Sequence, residues 1–129
     1  MKDYLTSSVW IVSALGLGLS TSSADADRLA DEINIDAQVV ARLAAVGTGC
    51  KNVFLVNKEK TNALVAMRIK SATKKANGDL FFALGAEYTK QYAEQISYLG
   101  IEEWCVRQKA DLDLIGVNIL GESCFKARC

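Results

Sequence analysis

The chain of 129 residues contains no histidine and no proline. Lacking histidine, it has neither the usual general base near neutral pH nor the commonest transition-metal ligand, which excludes Ser-His triads, Cys-His dyads and His-based zinc sites. The absence of proline leaves long helices uninterrupted and favours an all-helical architecture. Excess charge of one sign is missing too, since 15 Lys and Arg balance 15 Asp and Glu. With half of its residues hydrophobic, the chain belongs with globular rather than disordered proteins, and its length suits one domain rather than two. Finally there is no C-x-x-C pair, which argues against a zinc knuckle or a thioredoxin-like redox centre.

Among the features present, the N-terminus is the most informative. Lys2 precedes an apolar run from Val9 to Leu19, a polar Ser20-Thr21-Ser22-Ser23 spacer and an Ala24-Asp25-Ala26 end. This order is that of a secretory signal peptide, so residues 1–26 are expected to be removed after Ala26, leaving 27–129 as a single nearly neutral helical domain. The apolar run covers about half of the roughly 20 residues that a membrane-spanning helix needs. A periplasmic or secreted location follows.

In an exported chain this short, Cys50, Cys105, Cys124 and Cys129 read as a disulfide framework. Of the three possible pairings we favour Cys50 with Cys105 and Cys124 with Cys129, with the crossed pairings open. The second bridge demands a turn, because residues five apart in a regular helix lie too far apart to be joined.

The periodicity predicts a four- to five-helix orthogonal bundle. Leu29 and Ile33 share one face of a first segment, and Asp36 is placed as the N-cap of a second through Val39, Val40, Leu43 and Ala44. Gly47-Thr48-Gly49 should end it. Val53-Phe54-Leu55-Val56 is ambiguous and is assigned to helix, since a single strand would have no partner elsewhere. A helix from Asn57 to Ala76 should stop at Asn77-Gly78, with Asp79 capping the next. The spine from Asp79 to Gly116 should break at Gly100, its second helix burying Ile101, Cys105, Leu112 and Ile115. From Gly116 onward an irregular tail is expected.

Four features point toward function. Lys51, Lys58, Lys60, Arg68, Lys70, Lys74 and Lys75 stand against Glu59 alone, a basic segment suited to a partner with acidic or phosphate groups. Its plainer role is a solvated face complementing Asp79, Glu87, Glu94, Glu102 and Glu103 of the spine. Leu29 to Leu43 partly matches a helix-turn-helix, with Ala30 at the crossing, Asn34 in the turn, and Gln38 and Arg42 as base or phosphate contacts. Glu103 or Glu87 could serve as a lone general acid if buried beside Trp104, although solvated glutamates at a helix start are the simpler reading. Phe82 and Tyr98 are the aromatics expected to reach the surface and contact a partner.

The sequence therefore points to a small exported, disulfide-stabilised helical protein that acts by binding, such as an accessory, inhibitor or immunity-type protein. It is expected to be non-enzymatic and to need no metal or cofactor. Its partner would be another protein or an anionic envelope component. The competing hypothesis is a cytosolic helix-turn-helix-like protein that binds nucleic acid.

Overall fold

The computed structural model describes residues 17–75, 78–126 and 128–129, with side chains from Asp25 onward. Its elements, in chain order, are α1 (Leu17–Gly49), β1 (Phe54–Val56), α2 (Lys58–Lys74), α3 (Gly78–Leu99), α4 (Ile101–Leu114) and β2 (Leu120–Ser123). Two compact units result, one ending at Glu32 and the other running from Ile33 to Cys129.

In the first unit the described residues belong to α1, with Arg28 and Asp25 3.8 Å apart on its exposed surface. Residues 1–16 of the expected signal peptide lie outside the described residues. Among the described residues no helix is long and apolar enough to cross a membrane.

The second unit is the expected helical bundle, tied by both favoured disulfides, Cys50–Cys105 and Cys124–Cys129. Within it α1 buries Ile33, Asp36, Ala37, Ala41, Leu43 and Val46, with Cys50 buried just beyond its end, a stripe at helical spacing that turns one face inward. The sequence expectation of two helices separated at Asn34 to Asp36 is corrected here, because α1 passes straight through. No glycine or proline stands between Leu19 and Val46 to stop it. The two turn-prone side chains are also claimed by neighbouring helices: Tyr88 Oη donates to Asn34 Oδ1 at 2.8 Å, and Asp36 accepts from α2 and its C-cap residue Lys75. A tertiary partner removes the reason for such residues to bond their own backbone.

Beyond Cys50 a turn leads into β1, and residues 53–56 form no helix. Their missing partner is the tail itself, for β2 pairs antiparallel with β1, Phe54 facing Ser123 and Val56 facing Leu120 across an irregular register. Asn57 N–H donates to the Ile119 carbonyl and Cys124 N–H to the Val53 carbonyl, each at 2.8 Å, extending the ribbon at both ends. Phe54, Ile119 and Leu120 are buried by it.

Asn57 caps α2 by accepting the Lys60 N–H at 3.0 Å. The boundary expected near Gly78 holds, although Gly78 opens α3 rather than closing α2. Gly100 separates α3 from α4 with φ +87°, a conformation that only glycine adopts without strain. On α4 Trp104, Cys105 and Leu112 are buried, Ile101 is half-buried, and Ile115, just past the helix, is exposed, correcting its place on the buried stripe.

Two clusters make the core. The larger gathers Val46, Cys50, Trp104, Cys105 and Ile119 with Leu43 and Leu112, and Tyr92 meets Trp104 edge-on at 6.1 Å. The smaller consists of Ile33, Ala37, Ala72 and Phe81. Among the described residues every buried side-chain nitrogen and oxygen has a hydrogen-bond partner.

Candidate functional site

Helical geometry divides the basic segment into two sets. At 3.6 residues per turn, Lys60, Met67, Lys70 and Lys74 fall along the outer side of α2, while Arg68, Ser71, Ala72 and Lys75 turn toward α1. Only the inner set is engaged internally. Arg68 Nη1 donates to Asp36 Oδ1 at 3.0 Å, and Lys75 Nζ and Ser71 Oγ reach Oδ2 at 2.9 and 3.2 Å. Asp36 is 1% exposed. Burial by itself raises its pKa, but the hydrogen bonds from Lys75, Arg68 and Ser71 and the charge of Lys75 outweigh that cost and hold the carboxyl below its ordinary value. Arg68 and Lys75, expected at the contact surface, therefore find their carboxylate on α1, at a residue expected to be a cap.

The outer set is free to meet a partner. Lys60, Lys70 and Lys74 are exposed and have no carboxylate partner among the described residues. Met67 stands among them 65% exposed. Together with Ser71 and Lys75, three of these residues (Met67, Lys70 and Lys74) line one open depression.

Lys51 and Lys58 lie elsewhere. They border an open groove of about 390 Å³ between α1, β1 and α2, lined by Leu43, Ala44, Val56 and Val65 and by the polar Thr48, Thr61 and Asn62. An adjoining lobe of about 360 Å³ shares Lys51, Val56 and Lys58 and adds Arg128. No Asp or Glu side chain lines either lobe.

The remaining candidates separate. Phe82 and Tyr98 are 70% and 89% exposed, but their spacing on α3 puts them on nearly opposite sides of that helix, so they do not form one patch. Glu87, Glu102 and Glu103 are exposed, and Glu103 accepts from Arg107 Nε at 2.8 Å. Trp104 is buried away from them, donating its indole N–H to Gln95 Oε1 at 3.0 Å. No buried general acid results. The helix-turn-helix is contradicted as well: Ala30, Asn34, Gln38 and Val40 lie on one continuous helix, and Arg42 is held by Gln108 at 2.6 Å and Asp111 at 3.6 Å.

Sequence reasoning missed three residues. Asp36 is at i+3 from buried Ile33 and i−7 from Leu43, a charged residue inside an apolar stripe, and Arg68, Ser71 and Lys75 repeat at i, i+3 and i+7 to meet it. That double periodicity was the available signal. Arg128 and the 99% exposed Phe125 sit in the loop closed by Cys124–Cys129, and only the disulfide marks them in the sequence. Comparison of the chain with models of known protein families, with curated proteins and with solved structures found no match.

Proposed function

We propose that this chain is a small periplasmic or secreted helical protein that acts by binding, without catalysis, and that its partner is an acidic protein docking on the outer side of α2. An accessory, inhibitor or immunity-type role fits such a molecule. The observation that carries the proposal is the division of the basic segment. Arg68 and Lys75 neutralise Asp36 within the fold, whereas Lys60, Lys70 and Lys74 flank the exposed Met67 with no internal counter-charge among the described residues. Unpaired lysines steer an acidic partner, and a flexible thioether adapts to its apolar centre.

Export is supported by two disulfides that use all four cysteines, bonds that persist in oxidising compartments, and by the signal-like N-terminus. Intact mass of the protein from its native host tests the compartment. Loss of residues 1–26 and of four thiol hydrogens is expected; a full-length chain with four free thiols overturns export. Immobilised protein should then retain an acidic protein from the exported fraction, and K70E/K74E should release it. Equal retention by that variant overturns the docking surface.

A further inference from the structure

A second site lies on the same domain, away from the outer side of α2. The two-lobed groove beside β1 brings Lys51, Lys58 and Arg128 to one rim. All three are exposed, and none has a carboxylate partner among the described residues. Two disulfides anchor the segments that carry Lys51 and Arg128. Lys51 follows Cys50, which is bonded to Cys105, and Arg128 is held in the loop closed by Cys124–Cys129, whose Cys124 sulfur lies 3.6 Å from the Lys51 carbonyl oxygen. Lys58 is the first residue of the 17-residue α2, so the positive end of that helix faces the same region.

The charges alone would suit any anion, but the groove restricts the choice. Apolar side chains, Ala44, Val56 and Val65 with the buried Leu43 behind them, line it beside the polar Thr48, Thr61 and Asn62. Lobes of about 390 and 360 Å³ have the size of small-molecule sites, in the range of roughly 300–1,000 Å³. A ligand that satisfies both parts carries a negative head and an apolar chain. We infer that the groove binds a monomeric single-chain anionic amphiphile, its carboxylate or phosphate head between Lys51, Lys58 and Arg128 and its chain along Ala44, Val56 and Val65. The head replaces water around three unpaired cations, and the chain covers apolar surface that the fold leaves open.

Titration of the full domain with sodium decanoate below its micellar concentration, followed by calorimetry and by backbone amide shifts, tests this. Binding is expected with shifts centred on Gly47, Val56 and Thr61. Acetate, which lacks the chain, and decanol, which lacks the charge, should each bind roughly tenfold more weakly or worse. Lys58→Gln and Arg128→Gln should each weaken decanoate about two- to fivefold, and raised salt should do the same. Ala44→Trp, at an exposed position on the lining, should fill the groove and abolish binding while circular dichroism stays unchanged. K70E/K74E should leave decanoate binding intact, so this site and the protein-docking surface can fail separately. Decanol binding as tightly as decanoate, or decanoate binding unaffected by Ala44→Trp and by both charge variants, overturns the inference. So does association with phosphatidylcholine vesicles containing phosphatidylglycerol in the absence of any decanoate binding, which would reassign the cations to a membrane surface.

Discussion

The two core clusters solve the same problem by different means. Around Trp104, apolar side chains from α1, α3, α4 and the two-stranded ribbon close over the Cys50–Cys105 bridge. Around Phe81 the apolar contribution is small, only Ile33, Ala37 and Ala72 being buried with it, and a buried carboxylate with its three donors supplements it. The first cluster depends on area removed from water and on a covalent tie, neither of which changes with moderate pH. The second depends on a charge that must remain ionised. A short chain thus holds one end by composition and the other by electrostatics, and the two ends should fail under different conditions.

The largest effect should come from removing the covalent tie. Cys50→Ala with Cys105→Ala opens a loop of 55 residues, and the chain-entropy account puts the loss at about 4 kcal/mol. Chemical denaturation of the double variant with Cys124–Cys129 intact measures it. A loss below about 1 kcal/mol would mean that apolar packing around Trp104 suffices without the bridge.

Breaking the charged cluster comes next. Asp36→Ala removes the carboxylate that Arg68 and Lys75 share and should cost about 2 kcal/mol, less than a fully buried pair because Arg68 is 44% exposed and partly screened. The pH dependence has a definite sign. Since Asp36 is held below its ordinary pKa in the folded state, the unfolded chain binds the proton more readily. Its stabilisation is therefore fully present above about pH 4 and is lost as pH falls through the folded-state pKa. Urea midpoints from pH 6 downward should show that loss in the parent and a flatter profile in Asp36→Asn. Identical slopes would remove the distinction between the clusters.

The smallest effect belongs to the joint between α3 and α4. Gly100→Ala forces a side chain into φ +87° with open space around it, so only backbone strain is felt, about 1 kcal/mol. The thermal midpoint should fall without change in the pH profile, which places the cost with neither cluster.

What was legible in the sequence follows the same division. Local signals were sufficient for much of the apolar end: the Gly100 break and the helices on either side of it follow from residue type and spacing, and the favoured disulfide pairing, chosen while the crossed pairings stayed open, is the one formed. The Asn57 cap was legible for the same reason. Long-range partners were not. Asp36 carries a cap's chemistry, and only Arg68 and Lys75, 32 and 39 residues away, make it an interior residue. Val53 to Val56 has strand-like composition, but its partner Leu120–Ser123 includes Gly121 and Glu122, which give no strand signal of their own. Of the candidate contact residues, the sequence grouped all the lysines together, and α2's rotation separated those that neutralise Asp36 from those that face outward.

The pairing of β1 with β2 also bears on how the chain reaches its native state. Phe54 and Ser123 face each other across the sheet although 69 residues separate them, yet they lie only four and eighteen residues from Cys50 and Cys105. Once that bridge has formed, the route between the strands shortens about threefold, and the entropy cost of bringing them together falls by about 1 kcal/mol. Oxidation of one cysteine pair thereby prepares the pairing of the strands, and that pairing seats Cys124, whose N–H bonds the Val53 carbonyl, at the base of the loop bearing Arg128.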